Sequence, residues 1–284
     1  MKINVGFLVS YDYELLRHSI PLVYKSADSI TLAVDEKRRT WSGNTFTIDQ
    51  EFFNWIKTFD TENKIKIYEG DFYVETLNAM ENDTRERNLL ASAMGDGICI
   101  QIDADEYFVD FDGFVDYLKR HKKKLTSGKA YQICPSLIDI YKILDEGVLV
   151  SPKLSGYYIG SNNPEFVRAR KSKDQQKWYV PYYSIHQTWG RSEDELRFKL
   201  KNWGHNIDFD LEQYLDFWKS INKDNYHKHK NFHPLNSTSW KTLEFVPGKS
   251  IDQVVMNISK VKQVSKWYLF RKNLGQQIKY LFKV

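Results

Sequence analysis

The sequence is poor in cysteine and lacks long apolar runs. Its 284 residues include two cysteines, Cys99 and Cys134, and both lie in apolar stretches. We therefore expect neither a disulfide framework nor a zinc site. No stretch approaches the roughly 20 apolar residues that a membrane-spanning helix needs, and the apolar run at residues 3–9 is shorter than a signal peptide requires. These absences predict a cytoplasmic protein.

Glycine-rich phosphate motifs are also absent. The chain contains neither a P-loop lysine motif nor a Gly-x-Gly-x-x-Gly sequence, which argues against an NTPase and a dinucleotide-dependent oxidoreductase. The 41 basic and 37 acidic residues give a net charge of +4, too small a surplus to indicate nucleic-acid binding. A hydrophobic content of 42% with 15% aromatic residues is ample for the core of one enzyme-sized unit.

Acidic residues are missing from the end of the chain, because none follows Asp252. Apolar residues recur there at intervals of three and four, at Trp267, Phe270, Leu274, Ile278 and Leu281, among lysines and arginines. Residues 251–284 are therefore expected to form a basic amphipathic helix. Two interpretations stay open: the helix lies on an anionic membrane surface, peripheral to the inner face of the cell membrane, or it packs on the protein.

Short apolar segments alternate with helical patterns along the first 110 residues. Strands are predicted at residues 3–9, 29–34, 64–68 and 98–102, which favours a doubly wound, mostly parallel sheet. Open sheets of this kind bind ligands at the carboxyl ends of their strands. The polar residues at those ends are Ser10, Asp35, Glu69, Asp71, Asp103 and Asp105.

The fourth predicted strand ends in Asp103-Ala-Asp105-Glu106. Residues two apart on an extended chain point the same way. Asp103 and Asp105 can therefore converge on a hard divalent cation such as Mg²⁺ or Mn²⁺, which in turn binds a diphosphate. A pair of acids after a strand is more often a solvated turn, so the interpretation depends on its context.

That context is a helix containing Arg87-Asn88, followed by a strand closed by Asp103-x-Asp105. The arrangement resembles the GT-A glycosyltransferases, and within them the bacterial family 2 branch. The resemblance implies an α/β GT-A fold, a Rossmann-like, mostly parallel central sheet flanked by helices, with a C-terminal helical extension. Residues 1–110 would be the nucleotide-sugar-binding half of the domain, and residues 111–250 its acceptor-side half.

The resemblance also implies which residues bind the donor. They are Ser10, Asp35, Arg87, Asn88 and Asp103, with Asp35 holding the base or ribose. The alternative for Asp35 is that it starts the charged turn at residues 35–39. Arg168, Arg170 and Lys171 could bind the diphosphate or an anionic acceptor, but we favour the outward face of an edge strand for all three.

A second element, Tyr183-Ser-Ile-His186 followed by the capping-box spacing Ser192-Glu-Asp-Glu195, resembles another part of several GT-A families. There a histidine at a strand end completes the metal site, which here would comprise Asp103, Asp105 and His186. The chain departs from the family pattern in having Gln187-Thr188-Trp189 after the histidine. His205 therefore stays a second candidate.

These features predict a glycosyltransferase dependent on Mn²⁺ or Mg²⁺. It would transfer a sugar from a nucleotide-diphosphate donor to a glycan or lipid-linked acceptor in cell-surface polysaccharide synthesis, with inversion expected. An inverting reaction needs a carboxylate base, and Asp139 and Glu165 are the candidates best placed along the chain. Two alternatives remain: a nucleotidyltransferase, and a catalytically inactive scaffold that binds sugar nucleotides.

Overall fold

The computed structural model describes residues 1–152, 154–202, 208–236 and 238–282. The strands are β1 Ile3–Val9, β2 Ser29–Asp35, β3 Ile65–Gly70, β4 Ile98–Asp103, β5 Glu106–Val109, β6 Tyr131–Leu144, β7 Gly147–Val150, β8 Ser155–Gly156, β9 Gly160–Ser161, β10 Phe166–Arg168, β11 Lys171–Ser172, β12 Gln176–His186 and β13 Glu244–Pro247. The helices are α1 Leu16–Tyr24, α2 Gln50–Phe59, α3 Ala79–Met94, α4 Phe111–Arg120, α5 Lys122–Leu125, α6 Glu193–Asn202, α7 Leu211–Ser220, α8 Ile251–Val261 and α9 Lys266–Leu281.

The chain divides into two compact units. The first unit comprises Met1–Pro135, Gly156–Tyr182 and Val264–Val284, and the second comprises Ser136–Ser155 and Tyr183–Gln263. Both β6 and β12 contribute residues to each unit. The assignment of residues 1–110 and 111–250 to two halves of one domain stays a prediction.

The first unit contains the predicted parallel sheet. Its strand order is β6–β9–β4–β1–β2–β3, with β4, β1, β2 and β3 parallel and β9 antiparallel to both β4 and β6. The residues of β1 are all buried, as expected for a parallel strand covered on both faces. The prediction of a mixed α/β fold with a mostly parallel central sheet flanked by helices is confirmed.

Helix α3 lies close against this sheet and carries Arg87. It packs against β1, β2 and β4. A Cβ atom added at Gly6 in β1 would lie 2.7 Å from Sδ of Met94 and 2.9 Å from Cδ2 of Leu90, so the glycine permits this close approach. The helix begins with a capping box between Asn78 and Glu81 and ends before Gly95, whose φ of 73° favours glycine.

The second unit is built around an aromatic core. Strands β6, β7 and β13 form an antiparallel arrangement, α6 contacts α7, and α8 contacts β13. Its buried residues include Trp189, Tyr214, Trp218, Phe232 and Trp240. The predicted capping box is confirmed, since Ser192 N donates to Glu195 and Glu195 N donates to Oγ of Ser192 at the start of α6.

The segment expected to form one C-terminal helix forms two, and the prediction of a single helix was wrong. Helix α8 ends where Lys262 adopts an extended conformation, with φ −107° and ψ 132°. Helix α9 then begins at a new cap, because the Ser265 hydroxyl accepts from Tyr268 N. Within the described residues, no helix is both long and apolar enough to cross a membrane.

Candidate active site

The carboxyl end of β4 carries a network of buried charges. Arg87, on α3 and 2% exposed, donates through Nε to Asp83 at 2.6 Å and through Nη2 to Asp103 at 2.9 Å. Asp83 precedes Arg87 by one helical turn, so both side chains lie on the face of α3 that meets the sheet. Arg87 and Asp103, both predicted to bind the donor, are thus brought together in the first unit.

Arg170 also contacts Asp103 and in addition binds Glu106. It donates to both carboxylate oxygens of Glu106 at 2.6 Å, and its Nη2 lies 3.4 Å from Oδ2 of Asp103. The Arg170 side chain is 14% exposed, so the expectation that it faces outward from an edge strand was wrong. It lies in the turn after β10, where the chain folds back. Arg168, within β10, is exposed as expected.

Asp103 is therefore held between two guanidinium groups. Burial alone would raise the pKa of Asp103, but Arg170 and Arg87 outweigh burial and hold that pKa below its ordinary value. Asp105 is 4% exposed and close enough to Asp103 to oppose its ionisation electrostatically. The two acids of the motif are thus neighbours, and the two arginines favour the ionised form of Asp103.

Glu86 adds a carboxyl group of a different kind. It is 6% exposed and accepts a 2.6 Å hydrogen bond from Nε1 of Trp41. Burial raises its pKa to about 8, so the group is largely protonated at neutral pH. Burial also raises the pKa of Asp83, against the opposing effect of Arg87. The sequence reasoning missed Asp83 and Glu86, although an acid four residues before Arg87 is a visible pairing pattern.

The acids of this cluster outnumber its basic groups. Asp83, Asp103 and Glu106 form ion pairs with Arg87 or Arg170, and Asp105 lies close to Asp103. All four acids except Asp103 are at least nine-tenths buried. Buried carboxylates are costly unless cationic groups or hydrogen bonds compensate them.

Asn88, also predicted to bind the donor, makes a different set of contacts. Its Oδ1 accepts from Phe166 N at 2.9 Å, and its Nδ2 donates to Phe166 O at 2.9 Å. The amide group thus pairs with β10 as a neighbouring strand would. Thr84, on the same helix, makes a further contact with this segment, because its Oγ1 accepts a hydrogen bond from Ala169 N at 2.8 Å. These contacts fasten the segment that carries Arg170 to α3.

Asp35 is at the end of β2 as predicted, and its carboxylate organises the following loop. Oδ1 accepts from the backbone N–H groups of Lys37 and Arg39, and Oδ2 accepts from those of Phe72 and Tyr73. Arg39 also forms an ion pair with Asp35 at 3.0 Å. These contacts match the turn interpretation of Asp35, and contact with a nucleotide base or ribose stays a prediction. Ser10 lies directly after β1 and is half-buried.

A separate polar cluster surrounds Asp139 in the second unit. Nδ1 of His186 lies 3.2 Å from Oδ1 of Asp139, Thr188 Oγ1 donates to the same oxygen at 2.9 Å, and Trp240 Nε1 donates to Oδ2 at 3.0 Å. Burial would raise the pKa of Asp139, but these hydrogen bonds hold it below its ordinary value. Because a carboxylate only accepts, His186 carries its proton on Nδ1. Asp139 therefore fixes the tautomer of His186.

The remaining predicted residues are less constrained. Glu165 is exposed in the first unit, directly before β10. His205 lies outside the described residues. Across the described ranges, no three or more histidine, cysteine, aspartate or glutamate side chains are grouped so as to hold a metal ion by themselves. Metal ligation by Asp103, Asp105 and His186 stays a prediction.

Comparisons with known proteins add little to this picture. No family model and no curated protein matches the chain. Similar solved structures include S. aureus TarS 1-349, at 10% identity over 51% of this chain and 36% of that chain, with a TM-score of 0.31. They also include UTP-bound UGPase from Acinetobacter baumannii, at 11% identity over 57% and 73%, with a TM-score of 0.31. CMP:2-keto-3-deoxy-manno-octonic acid synthetase complexed with CTP matches at 8% identity over 56% and 71%, with a TM-score of 0.31. The chain thus spans little more than a third of the TarS structure, and the function has to be inferred from the chain's own residues.

Proposed function

We propose that the protein is a metal-dependent glycosyltransferase that uses a nucleotide-diphosphate sugar as donor and a glycan or lipid-linked acceptor, with inversion. The observation that carries the proposal is the cluster of buried acidic side chains at the carboxyl end of β4, which includes Asp105. This edge of a parallel sheet is where open α/β folds bind their ligands. Carboxylate oxygens at this edge are the ligands that a hard divalent cation prefers.

The donor atoms fit Mg²⁺ or Mn²⁺. These cations prefer oxygen ligands and are commonly bound by one or two carboxylates, with the remaining ligands supplied by phosphates and water. A protein site of fewer than three grouped ligands is therefore compatible with binding together with a nucleotide. When bound, the cation would supply positive charge to stabilise the diphosphate leaving group.

Asp105 is the better metal ligand of the two motif acids. Each oxygen of Asp103 faces an arginine, and those guanidinium groups would repel a cation placed against it. Asp103 is instead suited to accept a hydrogen bond from a donor hydroxyl group, in an orientation that Arg87 and Arg170 fix. The predicted donor-binding and metal-binding roles are thus divided between the two aspartates.

The acceptor-side base is better supplied by Glu165 than by Asp139. The carboxylate of Asp139 accepts three hydrogen bonds, and its lowered pKa makes it a weak base. Glu165 is exposed in the same unit as Asp105, and the contact of Asn88 with Phe166 holds the adjacent residue. Glu165 would take the proton of the attacking hydroxyl group.

Turnover measurements test this proposal. The purified protein is incubated with Mn²⁺ and a panel of UDP- and GDP-sugars, and release of the nucleoside diphosphate is followed with short glycan or polyprenyl-phosphate-linked acceptors. Release that requires both metal and acceptor supports a glycosyltransferase. Formation of pyrophosphate from a nucleoside triphosphate and a sugar phosphate would identify a nucleotidyltransferase instead, and metal-dependent binding without either reaction would identify a scaffold.

A further inference from the structure

Helix α9 has an apolar face that is exposed along its whole length. Trp267 is 69% exposed, Phe270 57% and Leu281 77%. Leu274 and Ile278 lie between them and are exposed as well. Because these residues recur every three or four positions, their side chains form one continuous stripe, which we call the α9 stripe.

The other side of α9 fixes the helix to the first unit. The side-chain amide of Asn273 accepts from Tyr179 N at 2.9 Å and donates to Tyr179 O at 2.9 Å. The ring of Tyr268 meets that of Tyr179 edge-on at 6.2 Å, and Lys272 lies over both rings. The helix therefore packs on the protein through polar and aromatic contacts, and this packing leaves the α9 stripe exposed.

The charge of α9 indicates what covers the stripe. The helix carries Lys266, Arg271, Lys272 and Lys279, and the sequence contains no acidic residue after Asp252. Pairing with α9 of a second copy would bring these like charges together. An anionic lipid surface complements them, since clustered lysines and arginines are attracted to negatively charged headgroups.

The shape and composition of the helix fit the same partner. Its 16 residues correspond to a length of about 24 Å at 1.5 Å per residue, which is shorter than the roughly 30 Å hydrocarbon core of a bilayer. The rings of Trp267 and Phe270 stack at 5.7 Å, and aromatic residues on the apolar face are typical of helices that lie in the membrane interface.

We propose that α9 binds the surface of an anionic lipid bilayer, lying in the plane of the interface with the α9 stripe towards the acyl chains. Basic side chains of α9 outside the contact with Tyr179, such as Arg271, contact headgroup phosphates. This interaction does not depend on the proposed glycosyl transfer, and it can be measured without any substrate.

Vesicle co-sedimentation tests this proposal with the full chain, using phosphatidylcholine vesicles with and without phosphatidylglycerol. Wild type is expected to sediment with the anionic vesicles and to be released by high salt. The double variant Trp267→Ser/Phe270→Ser should bind at least tenfold more weakly, because two large apolar side chains no longer insert. Arg271→Gln should weaken binding roughly fivefold.

The matched control is Met256→Ser/Val261→Ser on α8, where the side chains are 50% and 69% exposed but lie outside α9. Circular dichroism verifies that every variant is folded. The proposal is overturned if wild type does not bind anionic vesicles, or if the Trp267→Ser/Phe270→Ser variant binds them as strongly as wild type. It is also overturned if sedimentation velocity shows a dimer that the α9 substitutions dissociate, with no lipid binding.

Discussion

Replacing Arg170 with methionine tests the buried charge network, because Arg170 contacts two of its acids. The guanidinium group makes two 2.6 Å bonds to Glu106, whose side chain is 1% exposed, and lies 3.4 Å from Asp103. Methionine retains much of the packing of the stem but leaves the Glu106 carboxylate unpaired inside the protein. Removing one partner of a buried ion pair costs about 3–5 kcal/mol in the free energy of unfolding.

Arg168→Met is the matched control, because Arg168 is exposed two residues earlier on the same hairpin. Thermal and urea unfolding of both variants are followed by circular dichroism. We expect Arg170→Met to lower the thermal midpoint by roughly 10 °C and Arg168→Met to change stability by less than about 0.5 kcal/mol. Adding Glu106→Gln to Arg170→Met should recover part of the loss, because the neutral amide no longer needs a cation.

Equal midpoints for Arg170→Met and Arg168→Met would refute this reasoning. So would a double variant whose loss equals the sum of the two single losses, since residues that share an ion pair are expected to show coupling. Either result would mean that the buried carboxylates of Asp103 and Glu106 are stabilised by something other than the two arginines.

Three further predictions concern individual polar side chains. Glu86→Gln should be more stable than wild type at pH 8 and above. The pKa of Glu86 is raised from 4.5 to about 8 in the folded state, so the wild-type free energy of unfolding falls as pH rises through this window. Urea unfolding at pH 5 and pH 8.5 measures this fall, and an equal fall in the variant would count against the reasoning. Asp139→Asn should lower the free energy of unfolding by about 1–3 kcal/mol at neutral pH, because the hydrogen bonds of a buried carboxylate are weakened. This loss should shrink as pH falls through the lowered pKa of Asp139. Exposed Asp145→Asn is the control, and a pH-independent loss would contradict the prediction. Asn88→Ala should increase proteolysis within residues 163–172, because it removes both hydrogen bonds to Phe166. Exposed Asn54→Ala should not, and equal cleavage of both variants would argue against a stabilising role of the Asn88 contacts.

The parallel sheet could be predicted because its determinants are local. Each of the first four strands is a short apolar run bounded by a helix or by turn residues, and the observed β1 and β4 match the predicted positions closely. The polar residues at the strand ends followed from the same topology. Family resemblance assigned both Asp103 and Arg87 to donor binding, and the structure shows a direct ion pair between them.

The burial of Arg170 could not be predicted in the same way. Its partner Glu106 is 64 residues away in sequence, and the alternating pattern around Arg168 is typical of an exposed edge strand. Asn88 shows a related difficulty: an asparagine can bind a ligand or replace a strand neighbour, and only the position of Phe166 decides between them. In the C-terminal segment, the apolar periodicity identified the exposed face of α9 but did not reveal the break at residues 262–265.

The central claim is that Asp105 holds a divalent cation with a nucleoside diphosphate at the carboxyl end of β4. Isothermal titration of UDP and GDP into the protein, with Mn²⁺ or with EDTA, tests it most directly, using Asp105→Asn and the matched variant Asp96→Asn, which changes an exposed acid just before the amino end of the same strand. We predict binding that requires Mn²⁺ in wild type and Asp96→Asn, and no binding in Asp105→Asn. Metal-independent binding, or undiminished binding by Asp105→Asn, would contradict the claim.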